Sequence, residues 1–356
     1  MGNASDPLKP RVSIVINNFN YARFLTQSIE SELAQTRSTT EVIVVDDCSI
    51  DVSRDIIRSY GDRVIAVLQE KNGGQAAAMN AGFAASHGDL IIFLDADDYL
   101  YPKAAEMAAA ALGPGVGTVQ YRLHLVDDAG NRIDLFPPPE VAFESGNVLP
   151  KLLARGRYQG TVTSGNAFAR DTLLAILPIP AERFRISADG YLVTCAPFHG
   201  SVASIEEPLG AYRMHGGNLW MNEPSMAQRF RRSILHEIDK HQLLRERAAA
   251  ARFPVSTEPG LKDHQHLEMR LGSICFESAE HPIPSDRRWR LALRGAGAVF
   301  GAPLRLRRRV LLATWFLLVG ALPRRLACDV LAWRLDASSR PKAVQRALRQ
   351  LRRLTQ

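Results

Sequence analysis

Four short runs of aliphatic residues, each followed by a helix signal, constrain this chain more than any other feature of its sequence. Residues 12–16, 41–45, 64–68 and 90–94 are apolar with little polar alternation, the pattern of strands covered on both faces. Between them, residues 21–33, 52–60 and 75–86 carry helix-period apolar positions or an alanine-rich run. Alternation of this kind predicts an α/β domain with a mostly parallel, Rossmann-like sheet flanked by helices. Ligands of such sheets bind beyond the carboxyl ends of the strands. Asp46, Asp47, Asp95 and Asp97 fall at those ends.

Beyond residue 118 the pattern becomes mixed. Asp128-Ala129-Gly130-Asn131 reads as a turn and Pro137-Pro138-Pro139 as a loop, while residues 161–169 read as extended and 189–195 as helical. From about residue 223 the chain reads as a mainly α-helical C-terminal extension with a break near 253–260. The expected divisions are 1–222, then a helical connecting region 223–285, then a basic amphipathic tail 286–356.

Charge supports treating the tail separately. The net charge of +7 conceals 17 Lys and Arg against 3 acids in 286–356, and 27 against 34 in 1–285. A composition of 46% hydrophobic and 23% charged residues is that of a globular protein, which excludes collagen-like, low-complexity and polytopic membrane classes. Four isolated cysteines without C-x-x-C spacing suggest neither a zinc knuckle nor a disulfide framework, and fit a reducing cytoplasm. The first residues have no apolar signal-peptide core, and the longest apolar run, 310–322, is shorter than the ~20 residues that a spanning helix needs.

Two carboxylates at Asp95 and Asp97, directly after an apolar strand, share one face of an extended segment. Oxygen ligands suit a hard divalent ion, Mg²⁺ or Mn²⁺, with coordination positions left for phosphate oxygens. Asp47 ends the second strand, where an acid can accept hydrogen bonds from a nucleobase or ribose. Ser49 and Asp51 offer the alternative of capping the next helix. In Asn72-Gly73-Gly74, two glycines before a helix let backbone N–H groups approach a ligand closely, although an ordinary helix start fits equally. Asn80 and the alanines around it read as packing residues.

In order and spacing, these pieces resemble the family 2 inverting glycosyltransferases of the GT-A fold. The resemblance covers about residues 11–220 and is carried by VSIVINNFNYARFL, VIVVDDCSID, NGGQAAAMNAGF and GDLIIFLDADDYLYP. Asn17 departs from it, standing where many members have proline. The resemblance implies that Asp47 reads the nucleobase and that Asn18 and Asn20 line the base pocket. It makes Asp95 a ribose or metal-shell acid and Asp97 the direct ligand of Mn²⁺ or Mg²⁺. Asp189 becomes the base that deprotonates the acceptor, with capping of its helix as the alternative. His215 becomes a metal or diphosphate ligand, or a structural histidine. Arg213 is left between a phosphate contact and a surface ion pair, and Ser164 and Asn166 fall on the acceptor side.

The function implied is transfer of a sugar from a nucleoside-diphosphate-sugar, by family tendency a UDP-sugar, to a hydroxyl of a glycan or lipid-linked acceptor in cell-surface polysaccharide biosynthesis. Rival readings are a metal-dependent nucleotidyltransferase and a non-catalytic nucleotide-sugar-binding protein of the same fold. For the tail, apolar positions 343, 344, 347, 348, 351 and 354 share one helical face, and arginines flank 310–322. That pattern suits an anionic membrane surface, which would place the protein at the inner face of the cytoplasmic membrane. Packing on the body or homo-oligomerisation is the alternative. Nucleic acid is not expected, since no recognised motif accompanies the charge.

Overall fold

The computed structural model describes residues 10–37, 39–218, 225–256, 258–302, 304–335 and 341. The chain divides into two compact units, Met1–Asn218 with Asp239–Val255, and Leu219–Ile238 with Ser256–Gln356.

The first unit begins with the expected alternation. Strands β1 (Val12–Asn18), β2 (Thr40–Asp46), β3 (Ile65–Leu68) and β4 (Leu90–Asp95) alternate with helices α1 (Ala22–Leu33), α2 (Ser53–Ser59) and α3 (Gln75–Ala85). These four strands are parallel, in the order β3-β2-β1-β4. After β5 (Tyr99–Leu100) and α4 (Ala104–Ala111), the sheet continues through β6 (Val116–Val126), β7 (Arg132–Phe136), β8 (Asn166–Ala169) and β9 (Ser201–Arg213). Here β8 runs antiparallel to both β4 and β6, so the nine-stranded sheet is mixed. Helices α5 (Leu149–Arg155), α6 (Arg170–Ile176) and α7 (Ala188–Cys195) lie between these strands in the chain.

Strand alternation divides the core into two layers. Ile14, Ile16, Val42, Val44, Ile92 and Leu94 pack with α1 and α4 on one face. Val15, Ile43, Val45, Ile91 and Phe93 pack with α3 and α7 on the other. Close approach of α3 to the sheet depends on Gly82, where a Cβ would lie 2.2 Å from Val15 Cγ1. Asn80 is a packing residue, its amide exchanging two hydrogen bonds with the Ile179 backbone (2.8 and 2.9 Å).

Two local expectations are corrected. Of residues 161–169 only Asn166–Ala169 is a strand, because residues 163–165 form a 3₁₀ turn that carries Ser164 inward. Neither Ser49 nor Asp51 is the N-cap of α2. Val52 holds that position, while Ser49 Oγ accepts the Asn20 N–H (2.9 Å) and Asp51 ties together the starts of α1 and α2.

Helix α8 (Met226–Ala250) contributes residues to both units. The second unit adds α9 (His264–Phe276), α10 (Arg288–Ala298), α11 (Leu306–Ala321) and α12 (Arg324–Leu335), packed around Leu267, Leu271, Leu291, Phe316, Val319 and Leu331. The helical face expected over 343–354, the expected boundary at 222, and Leu219-Trp220 at the end of the family likeness lie outside the described residues.

Candidate active site

The carboxyl ends of β1, β2 and β4 bring a cluster of acids together. Register and alternation decide which side chains face it. Asn17 is paired with Val45 and Asp95, so all three share the α3/α7 face. Asp46 falls on the opposite face with Asn18, whose Nδ2 donates to Asp46 Oδ2 (2.9 Å). Burial pushes the Asp46 carboxyl up, but hydrogen bonds from Ser49, Arg54 and Asn18 outweigh that and hold it below the usual range. Asn20 adopts a left-handed conformation (φ 59°), and its Oδ1 accepts the Ile50 N–H (2.9 Å). Asn18 and Asn20 thus brace the loops beyond β1 and β2 against each other.

Asp47 points to the other side. Its two oxygens accept from the backbone N–H groups of Gly73 (2.8 Å) and Gly74 (2.7 Å), and Asn72 Nδ2 donates to its carbonyl (3.0 Å). The glycine pair is held by the acid as the sequence spacing could not specify. Gly74 has φ 80° and ψ 178°, a region open essentially to glycine alone, and a Cβ there would lie 2.4 Å from Arg185 Cγ. Burial raises the Asp47 carboxyl above its ordinary value, although the glycine N–H groups and the Arg185 charge oppose the rise.

Around the turn after β4, Asp95, Asp97 and Asp98 meet. Asp98, fully buried, accepts from Ser164 Oγ (2.6 Å) and from the Arg213 N–H (2.8 Å). Burial, then the charges of Asp97 and Asp95, push it well above the usual carboxylate range. Asp95 is raised by burial and by the charges of Asp97 and Asp189. Asp97 Oδ2 faces His215 Nε2 at 2.9 Å and also accepts from Asn218 Nδ2 (3.2 Å). Because His215 Nδ1 accepts the Gly217 N–H (2.9 Å), the ring proton belongs on Nε2, which donates to Asp97.

Of this donor set the Asp97 carboxylate suits a small divalent cation, and His215 would join it through Nε2 only in the other tautomer, with the ring proton on Nδ1 and the Gly217 N–H released. Burial first, and the charge of Asp97 second, raise the Asp95 and Asp98 carboxyls beside the pair. Among the described residues no group of three or more His, Cys, Asp and Glu side chains is arranged to hold a metal. Two protein ligands leave the remaining coordination positions to substrate oxygens and water.

Asp189 enters from α7. It is the second residue of the helix, after the N-cap Ser187, and its Oδ1 accepts the Gly190 N–H (2.8 Å). Gln75 joins it to the rest. The Gln75 Nε2 donates to Asp95 Oδ1 (3.0 Å), and its Oε1 accepts the N–H groups of Ser187 (3.1 Å) and Ala188 (3.0 Å). Gln75 carries no sequence signal beyond its place as first residue of α3, so reading the chain alone missed it. Asn218, three residues after His215, was missed for the same reason.

Arg213 is neither a phosphate contact nor a surface ion pair. It is 2% exposed, its Nε donates to the Asp97 carbonyl (2.9 Å), and its terminal nitrogens donate to the Asp128 carbonyl (3.0 Å) and Gln27 Oε1 (2.6 Å). Its guanidinium braces the acidic turn from behind. Ser164 lies inside the acid cluster, whereas Asn166 turns its amide to the Val162 carbonyl (2.7 Å). Asn17 is 9% exposed, and neither atom of its amide has a partner in the protein.

Comparison with known proteins gives this geometry a context. Residues 13–160 match the model of "Glycosyl transferase family 2". The chain is 36% identical over 221 residues to the uncharacterized glycosyltransferase alr2836 of Nostoc sp. (strain PCC 7120), spanning 60% of this chain and 68% of that one. It is 35% identical over 135 residues to the succinoglycan biosynthesis protein ExoO of Rhizobium meliloti (strain 1021), 37% of this chain and 39% of that protein. Among solved structures, the mannosyltransferase PcManGT from Pyrobaculum calidifontis, in complex with GDP-Man and Mn²⁺, superposes with a TM-score of 0.51 at 18% identity, covering 92% of this chain and 85% of that one. The shared architecture is the GT-A fold.

Proposed function

The chain belongs to glycosyl transferase family 2, and on that premise we propose that it moves a sugar, with inversion, from a UDP-sugar to a hydroxyl of a glycan or lipid-linked acceptor in cell-surface polysaccharide biosynthesis. The observation that carries this reading is the cluster in which Asp95 and Asp97 adjoin the Asp47–glycine loop, with the start of α7 just before Asp189 tied to Asp95 through Gln75. The naming of ExoO for succinoglycan biosynthesis supports the pathway class. Residues 1–222 are read as the donor-binding and catalytic part.

In this reading Asp47 and the loops braced by Asn18 and Asn20 receive the nucleoside, and the backbone at Asn72 and Gly74 borders the donor. Asp95 accepts from the ribose. Asp189 takes the proton of the acceptor hydroxyl, whose oxygen bonds to the anomeric carbon as the bond from that carbon to the diphosphate oxygen breaks. The electron pair of the broken bond leaves on the diphosphate. A Mn²⁺ or Mg²⁺ ion held by Asp97, and by His215 Nε2 once the ring proton sits on Nδ1, would supply positive charge against that diphosphate. Ser164 and Asn166 belong to the acceptor side, Ser164 by way of its hold on Asp98.

A thermal-shift screen of UDP- and GDP-sugars with and without Mn²⁺ tests the reading. A UDP-sugar should raise the melting temperature only with the cation, and Asp97→Ala should remove that shift. Asp189→Asn should keep the shift yet lower transfer by at least about a hundredfold, as loss of a general base does. A shift that needs no cation and survives Asp97→Ala refutes the ligand assignment, and near-normal turnover of Asp189→Asn refutes the base.

A further inference from the structure

Between residues 287 and 328 there are ten arginines and no acid. Helices α10 and α11 lie within that stretch and pack through small residues. A Cβ on Gly320 would sit 2.4 Å from Ala292 Cβ, and one on Gly295 would sit 2.3 Å from the Phe316 ring. These two contacts run in opposite chain directions, so the helices are antiparallel. Their inner faces are buried, with Leu291 and Ala292 on one and Leu312, Phe316 and Val319 on the other.

Their outer faces are apolar as well. Trp289 (55% exposed) and Leu293 (56%) lie one turn apart on α10, and Phe300 (49%) follows in the 3₁₀ turn after it. On α11, Leu306 (68%), Val310, Leu311 (61%), Leu317 and Leu318 form a second exposed stripe with no acid in it. With Gly320 against Ala292 and Phe316 against Gly295, helical geometry turns both stripes to the same side of the pair. Exposed Arg290 and Arg294 border the first stripe, and exposed Arg307 lies at the N-terminal end of the second.

We propose that this face docks on the surface of a bilayer containing anionic phospholipids, with α11 lying in the interfacial plane. Apolar side chains enter the acyl boundary while the flanking arginines reach the phosphates, as an interfacial amphipathic helix requires. At 16 residues and 1.5 Å per residue, α11 is about 24 Å long, and no helix among the described residues is long and apolar enough to cross a membrane. A second copy of the chain on this face would bring like charges together. A nucleic acid would meet the arginines and leave the leucines in water.

The test is co-flotation of the full chain with vesicles of phosphatidylcholine, alone or with about one third phosphatidylglycerol, at about 0.1 M and about 0.5 M salt. Binding should require phosphatidylglycerol and weaken at the higher salt. Leu311→Glu with Leu318→Glu, both at exposed positions, should leave the circular-dichroism melt unchanged and lower partition at least about tenfold, because each leucine buried is worth a factor of that order. Arg290→Gln with Arg294→Gln should lower binding without making it less salt-sensitive per remaining arginine. Failure of the wild type to float with anionic vesicles overturns the proposal. So does equal flotation of the leucine variant, or a wild-type dimer that the leucine variant dissociates. None of these readouts depends on a donor or on activity, so they stand apart from the proposed reaction.

Discussion

Glu32→Gln is predicted to make the protein more stable above pH 8 and to change little at pH 5. Glu32 lies on α1, 1% exposed, with Oε1 accepting from Ser31 Oγ (2.9 Å) and the Leu100 N–H (3.3 Å) and with Oε2 unpartnered. Burial pushes its carboxyl up to about 8, against an ordinary value of 4.5, and the two hydrogen bonds only partly oppose the rise. The folded state therefore holds a proton that the unfolded state releases. Stability from this group is fully present below pH 4.5 and is lost as pH rises through 8. At about 1.4 kcal/mol per pH unit, that interval corresponds to a loss on the order of 5 kcal/mol, which water reaching the unpartnered oxygen would reduce. Glutamine keeps the shape and the acceptor toward Leu100 but does not titrate. Urea unfolding followed by circular dichroism from pH 5 to pH 9 should show the variant gaining at least about 2 kcal/mol on the wild type across that range. Stability curves that run parallel would refute the reasoning.

Two further substitutions probe the cluster. Gly74→Ala places a methyl 2.4 Å from Arg185 Cγ at a φ of 80°, and should cost about 2–3 kcal/mol of stability and abolish the nucleotide-sugar thermal shift; a variant that melts and binds like the wild type would show that the loop rearranges freely. Asn17→Leu removes a buried amide that has no protein partner, so the ligand-free melting temperature should hold or rise while donor affinity measured by calorimetry falls about tenfold, the worth of one good hydrogen bond.

The parallel half of the sheet was legible because its signal is local. Runs such as residues 90–94 declare a buried strand by composition alone, and an acid at the end of such a run declares itself in the same few residues. The acids of the cluster were therefore nameable from the sequence, and the structure brings Asp47, Asp95 and Asp97 to the strand ends where the reading put them. What joins them was not. The partners of Gln75, Glu32 and Arg213 lie 20, 68 and 115 residues away, and only the topology reveals which long-range pairs meet. Arg213 was misjudged for that reason, since nothing near it in sequence says that it is buried. The turn at 163–165 was read as strand because its flanks are apolar and β-branched, a local preference overruled by the need to bring Ser164 to Asp98.

The burial of Arg213 bears on how a diphosphate could be received. Its Nε and both terminal nitrogens are committed to the Asp97 and Asp128 carbonyls and to Gln27, so its charge steadies the turn without offering N–H groups outward. The same cluster gathers the carboxyls of Asp47, Asp95, Asp97 and Asp189. Arg185 is engaged with the Asn72 carbonyl (3.0 Å). A diphosphate brought alone into such a place would meet like charge at short range, where the effective dielectric is well below that of water. Burial, and after it the charge of Asp97, raises the Asp95 and Asp98 carboxyls, which makes a further anion beside them costlier still. A nucleoside-diphosphate donor is therefore compatible with this cluster when positive charge arrives with it. For that reason the dependence of donor binding on a divalent cation, rather than donor binding itself, is the measurement that separates a transferase site from an acidic pocket of the same fold.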